Sequence, residues 1–272
     1  QKRKLPKLGS ETLFQYYKKH KNILHQKKET HGKVYVFCDE FTNYFDVSTG
    51  IATLKLLSKL GFNPIIVSHK ESGRSAISKG LLPFAKEKAN KNIEIFKDLI
   101  TTETPLIGIE PSAILSFRDE YKRLADDKES VNKIAKNTFT IEEFLKTCIE
   151  KNILTADLFT SEKKTVKIHG HCHQKALSST EPTFAILNLP KNYHVTILNT
   201  GCCGMAGSFG YEEEHYDISM QVGEDTLFPK LRKLESDTII AAAGTSCRHQ
   251  IKDGVNKTAS HPVKILYNAL LE

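Results

Sequence analysis

No apolar run in the 272 residues approaches the roughly 20 needed to span a bilayer, so nothing in the chain reads as a membrane helix. The basic start QKRKLPKLGS is followed by no apolar segment, which argues against a secretory leader. Linkers rich in Gly, Ser or Pro are absent, which leaves no obvious hinge. The net charge is +7, but its lysines are not interleaved with exposed aromatics or set on a recognition helix, so nucleic-acid binding is not expected. Much of that charge lies early, at Lys2, Arg3, Lys4, Lys7, Lys18, Lys19, Lys21, Lys27 and Lys28. It reads as a solvated surface, or as a face for an acidic partner.

The chain does contain six cysteines, at 38, 148, 172, 202, 203 and 247. With no leader the expected location is cytoplasmic and reducing, where disulfides are rare and a cysteine cluster reads as metal-binding or catalytic.

Hydrophobic periodicity predicts helix, strand and helix in alternation. A helix is expected over 10–28, capped by Ser10. Strands are expected at 34–40, 63–70 and 105–111, with helices between them and a polar helical block over 114–155. The pattern then restarts, with strands at 166–172, 194–200 and 237–244 and a last helix from about Pro262. This predicts an α/β chain of two pseudo-repeated Rossmann-like halves, each a small parallel sheet flanked by helices. The expected organisation is an N-terminal helical extension (1–32), a first repeat (33–120), a helical bridge (121–164) and a second repeat with the cysteine site (165–272). Aligning Cys38 with Cys172 sets Glu71-Ser72-Gly73 against Cys202-Cys203-Gly204, and Ala113 against Cys247. The cysteine-to-glycine spacing is then 35 positions in one half and 32 in the other, and the glycine-to-last-position spacing is 40 and 43.

In an open parallel sheet, ligands bind outside the carboxyl ends of the strands. That places Cys172, Cys202, Cys203 and Cys247 at one edge as a candidate ligand set. Thiolates that converge repel one another unless a cation neutralises them, and four sulfurs suit an iron–sulfur cluster or tetrahedral zinc. Gly201 and Gly204 flank the adjacent pair and would permit the turn it needs. Cys38 and Cys148 read as core residues. His171 and His173 beside Cys172, and Arg248, His249 and His261 near Cys247, are candidates for tuning the site from behind the ligands. GCCGMAGSFG (201–210) matches neither a dinucleotide fingerprint nor a P-loop.

HGHCHQKAL, GCCGMAGSFGYEEEHY and AAAGTSCRHQI together resemble the cysteine-rich CCG domain found in heterodisulfide reductase and in the iron–sulfur subunits of glycolate oxidase and glycerol-3-phosphate dehydrogenase. SGRSAISKGLL and GIEPSAILSFRDEY are similar to the C-terminal region of fused FAD-linked oxidase/iron–sulfur proteins of the D-lactate dehydrogenase type. The resemblance covers about residues 33–272. It implies two tandem repeats and an iron–sulfur cluster, of the 4Fe–4S kind, on Cys172, Cys202, Cys203 and Cys247. It also implies partner domains that carry FAD and a ferredoxin-like segment, and an oxidoreductase acting on 2-hydroxyacids. A quinone or another carrier is the expected acceptor, with peripheral placement at the inner face of the membrane as one expected location. The isolated region would be inactive on substrate. Two departures stand out: Gly244 replaces the first cysteine of the family's final Cys-x-x-Cys, and the first half carries Glu71, Ser72 and Ala113 at cysteine positions. A structural zinc or docking module and a thiol–disulfide domain are the alternatives.

Overall fold

The computed structural model describes residues 3–25 and 31–271. Lys2, Lys27 and Lys28, and the end of the helix expected over 10–28, lie outside the described residues. The chain divides into two compact units, one of residues 8–144 and one of residues 1–7 with 145–272.

The first unit contains α1 (Leu13–Leu24), β1 (Lys33–Phe37), α2 (Glu40–Tyr44), α3 (Val47–Lys59), β2 (Asn63–Ile65), α4 (Arg74–Ser78) and α5 (Leu82–Phe96). It continues with β3 (Leu106–Gly108), α6 (Pro111–Ile114), α7 (Glu120–Leu124), α8 (Lys128–Lys136), β4 (Thr138–Thr140) and the start of α9 (Ile141–Glu150). Its sheet is fully parallel, in the order β2-β1-β3-β4. Helix α1 begins at Thr12 rather than Ser10. The Thr12 hydroxyl accepts from the Gln15 amide while the Gln15 side chain accepts from the Thr12 amide, and this reciprocal cap fixes the start. The polar stretch read as wholly helical also holds β4, because Thr138 and Thr140 extend the sheet edge beside β3.

The second unit contains β5 (Lys164–His169), α10 (Cys172–Leu177), α11 (Glu181–Leu187), β6 (Tyr193–Ile197), α12 (Tyr216–Arg232), β7 (Ile239–Ala242), α13 (Thr245–Val255), β8 (Ala259–Ser260) and α14 (Pro262–Ala269). Its parallel sheet runs β6-β5-β7-β8, the same order as the first. Each central strand has helices on both faces, so its apolar residues are buried: Val34, Val36 and Phe37 in β1, Val166 and Ile168 in β5. Two Rossmann-like halves are therefore present, as the periodicity predicts.

Strand register fixes which residues of the halves correspond. Phe37 pairs with Gly108 as His169 pairs with Ala242, and Tyr35 pairs with Ile65 as Lys167 pairs with Thr196. Helices α2 and α10 then start at equivalent positions, Glu40 and Cys172. The alignment of Cys38 with Cys172 is thereby corrected: Cys38 corresponds to Gly170, and Cys172 to Glu40. Glu71-Ser72-Gly73 against Cys202-Cys203-Gly204 stands, as does Ala113 against Cys247. Gly73 and Gly204 both take positive φ, at 74° and 96°.

Candidate metal centre

Strand β5 ends at His169, three residues earlier than the sequence pattern indicates. Cys172 is consequently the first residue of α10, and His171 is its N-cap, with Nδ1 accepting from the His173 amide at 3.2 Å. Cys247 likewise sits in the first turn of α13, and Cys202 and Cys203 lie in the loop after β6. Cys172 and Cys247 stand in the first turns of helices just beyond their strands, and Cys202 and Cys203 in the loop that follows β6, all on the carboxyl side of the sheet.

The adjacent pair depends on Gly204. Its φ of 96° is one that side chains rarely adopt, and a Cβ there would fall 2.1 Å from the Ser219 carbonyl oxygen of α12. Gly204 donates its amide to Cys202 Sγ at 3.3 Å. Gly201 does not take a positive φ; its amide donates to Thr226 Oγ1 at 2.8 Å, which ties the loop to α12. Lys175 Nζ donates to the Thr200 carbonyl at 3.0 Å and holds the same loop from α10.

The four sulfurs form one connected series. Cys172 couples electrostatically to Cys202, Cys202 to Cys203, and Cys203 to Cys247, and the sulfurs of Cys203 and Cys247 lie within 4.8 Å of each other. Cys203 and Cys247 are buried, while Cys172 and Cys202 are half-buried. Their ionisation alternates along the series. Hydrogen bonds from Cys172 and Cys203, aided by the Gly204 amide, hold Cys202 far below the usual thiol range. The Cys203 thiol, then His169, do the same for Cys247 against the cost of burial. Cys172 is pushed up by Cys202 and then by burial, and Cys203 by its neighbours Cys202 and Cys247 and then by burial. Without a cation the cluster of thiols thus ionises only in part, whereas a bound metal would draw all four into the thiolate form.

A fifth donor, to which no sequence motif points, completes the group. His169 is buried, and a ring nitrogen lies within 4.8 Å of the sulfurs of Cys203 and Cys247, which are equally close to each other. Its Nδ1 is 2.8 Å from Thr200 Oγ1, and its Nε2 makes no hydrogen bond of regular geometry. An orphaned buried nitrogen against a row of sulfurs is what a metal or cluster site requires, so the donor set fits such a group in chemistry and placement. The sequence signal is the first histidine of HGHC, hidden by extending the strand to Cys172.

The other candidates have different work. His171 is buried, and its ring fills the space a side chain at Gly244 would need: a Cβ there would lie 2.3 Å from His171 Cδ2 and 3.2 Å from Cys247 Sγ. A cysteine at position 244 is therefore excluded by this histidine. His173 stacks on His171 with ring centroids 5.6 Å apart. Arg248 donates to the carbonyls of Ala242 and Ala243, at 2.8 and 2.6 Å, and secures the turn that carries Cys247. His249 bonds Tyr211, and burial, then the charges of Arg248 and Arg3, lower its pKa to about 4. His261 caps α14, Nδ1 accepting from the Val263 amide. Cys148 is in the core of the second unit, and burial raises its thiol to about 12. Cys38 is buried in the first unit, where its Sγ donates to Asn43 Oδ1 at 3.4 Å. Arg3 is not free for an acidic partner: it is buried in the second unit on Asp253 and Gln250.

In the first unit the same edge is closed without thiols. Glu40, at the position of Cys172, accepts from the Ser72 hydroxyl at 2.7 Å and the Ser72 amide at 2.8 Å. Tyr121 donates to the Ser72 carbonyl, and Asn92 to Tyr121 and to the Glu71 carbonyl. Hydrogen bonds there hold together the strand ends that the cysteines occupy in the second unit.

No protein-family model matches the chain. Among curated proteins it is similar to the D-2-hydroxyglutarate dehydrogenase of Haemophilus influenzae, 29% identical over 259 residues that take in 89% of this chain and 24% of that protein. It is similar to one subunit of the anaerobic glycerol-3-phosphate dehydrogenase of Escherichia coli K12, 24% identical over 99% of this chain and 66% of that protein. Lactate utilization protein A of Bacillus cytotoxicus is 26% identical over 72% of this chain and 85% of its own length. The chain thus spans about a quarter of the D-2-hydroxyglutarate dehydrogenases it matches. No helix among the described residues is long and apolar enough to cross a membrane. These relatives make the chain one related to dehydrogenases and their subunits.

Proposed function

We propose that the chain is an electron-transfer module of a flavin-linked 2-hydroxyacid dehydrogenase, holding an iron–sulfur cluster on Cys172, Cys202, Cys203 and Cys247. The observation that carries this reading is the gathering of four cysteines beyond the carboxyl ends of one sheet's strands, with the sulfurs of Cys203 and Cys247 and a ring nitrogen of His169 all within 4.8 Å of one another. When bound, the cluster accepts and releases single electrons. The chain's own residues ligate it, exclude water from the Cys203–Cys247 side, and set its potential through burial and hydrogen bonds to sulfur. Nothing at this edge is arranged for acid–base chemistry on a hydroxyacid. Oxidation of the substrate belongs to an FAD-bearing partner domain, with a ferredoxin-like segment as the intermediate carrier and quinone as the acceptor.

Zinc is the second reading, favoured by the buried trio of His169, Cys203 and Cys247, whose mixed nitrogen and sulfur donors suit a tetrahedral ion. Anaerobic reconstitution with ferrous iron and sulfide separates the two. The cluster reading expects a broad absorption band near ~400 nm, from thiolate-bound iron–sulfur chemistry, that bleaches with dithionite. A colourless protein that retains stoichiometric zinc after the same treatment overturns it.

A further inference from the structure

We infer that His169 is a nitrogen ligand to the group the cysteines hold, bound through Nε2 and oriented by Thr200. This rests on the metal-centre reading above and deepens it, since none of the sequence patterns points to this residue.

His169 is the last residue of the central strand, so its side chain emerges at the edge where ligands bind. One nitrogen, Nδ1, is engaged by Thr200 Oγ1 at 2.8 Å, and a ring nitrogen lies within 4.8 Å of the sulfurs of Cys203 and Cys247, so Nε2 is the nitrogen left to ligate. Nε2 is buried and meets no hydrogen-bond partner of regular geometry among the described residues, and the neighbour that feels this ring is the Cys247 thiol. A metal-bound imidazole has this arrangement: the far nitrogen donates to an oxygen, which fixes the tautomer and turns the lone pair of the near nitrogen toward the ion. The neighbouring histidines are committed elsewhere. Nδ1 of His171 and Nδ1 of His261 accept helix-capping amides, and His249 is bonded to Tyr211.

The first unit supplies an internal comparison. Its counterpart of His169 is Phe37, and its counterpart of Thr200 is His69, which stacks on Phe37 with centroids 4.3 Å apart. In the unit where glutamate, serine and alanine stand at the four thiol positions, the imidazole is replaced by a side chain that cannot ligate, and its orienting hydroxyl is gone as well. A histidine kept for packing alone has no reason to vanish together with the sulfurs, because the strand and its neighbours are retained.

The chemical consequence is a site with less negative charge than an all-thiolate one. Beside the four sulfurs, a neutral imidazole where a fifth thiolate could stand raises the reduction potential.

The test uses the full chain, reconstituted with ferrous iron and sulfide, unlabelled and with ¹⁵N-histidine, reduced with dithionite and examined by pulsed electron paramagnetic resonance. The expected result is a strong hyperfine coupling to one histidine nitrogen, of the size that direct ligation gives. It is lost in His169→Ala and altered in Thr200→Val. His169→Cys keeps a donor, so it should load fully, lose the nitrogen coupling and shift the midpoint potential negative. A loaded wild type with weak or no histidine coupling, or a His169→Cys variant whose spectrum and potential match the wild type, overturns the inference while leaving the cluster reading intact. A wild type that takes up no iron overturns both.

Discussion

At the scale of single residues, the four cysteines divide by exposure. Cys203 and Cys247 are buried and share a wall with His169, whereas Cys172 and Cys202 meet solvent. If the proposed ligand set holds the cluster, replacing a buried cysteine removes a bond that water would not readily substitute. Cys203→Ser and Cys247→Ser are expected to lower bound iron to background, and Cys172→Ser to leave a labile, oxygen-sensitive remnant. Cys38→Ser is the informative control. Register makes Cys38 the counterpart of Gly170 rather than of a ligand, so iron per chain should be unchanged. A loss of iron in Cys38→Ser would show that the register argument misplaces the site. Counting iron and acid-labile sulfide after gel filtration decides all four cases.

At the scale of elements, the site is a set of strand-to-helix turns, and the turn at Gly204 is the least tolerant of change. Gly204→Ala would put a methyl group 2.1 Å from the Ser219 carbonyl at a φ of 96°, and is expected to cost about 2–4 kcal/mol from strain and overpacking together. Urea denaturation with and without iron reads this out: the loaded protein should lose part of its advantage, since Cys202 Sγ also loses its well-placed amide donor. Unchanged stability would mean the loop relaxes away from α12. The same turns explain what was legible in the sequence. Alternating apolar runs revealed two parallel sheets, and the doublet Cys202-Cys203 before Gly204 located the edge. The ends of β1 and β5 were not legible. An apolar run does not mark where a strand gives way to a capped helix, and Phe37-Cys38-Asp39 looks like a continuation of the strand. Aligning cysteine with cysteine then moved the first half by two residues and drew attention from His169 to His171 and His173. Only the hydrogen-bond register, with Asp39 and His171 as matching N-caps, separates strand from cap.

At the scale of the molecule, one sheet topology is held together in two ways. The second unit gathers thiols whose repulsion a bound cation would relieve, so on the proposed reading loading should raise its unfolding midpoint by ligand linkage and leave that of the first unit in place. The first unit gathers carboxyl groups instead. Asp39 is fully buried, and burial together with the neighbouring charge of Glu40 raises its pKa to about 8 despite hydrogen bonds from Thr42. Glu142 is also fully buried, and burial raises it to about 7. Both folded-state values exceed the ordinary carboxyl range near pH ~4. Between that range and pH 7 to 8 the folded unit therefore retains protons that the unfolded chain releases. The sign follows: stability is greatest at the acid end of this window and falls as pH rises, by up to about 1.4 kcal/mol per pH unit for each group, then levels off once both are ionised in either state. Asp39→Asn with Glu142→Gln mimics the protonated forms, and asparagine retains the oxygen that caps α2. Urea midpoints measured from pH 4 to 9 should decline for the wild type and stay nearly level for the double variant in the transition assigned to the first unit. Equal slopes in the two proteins would show that these acids are ionised in the folded state, held by their hydrogen bonds against burial.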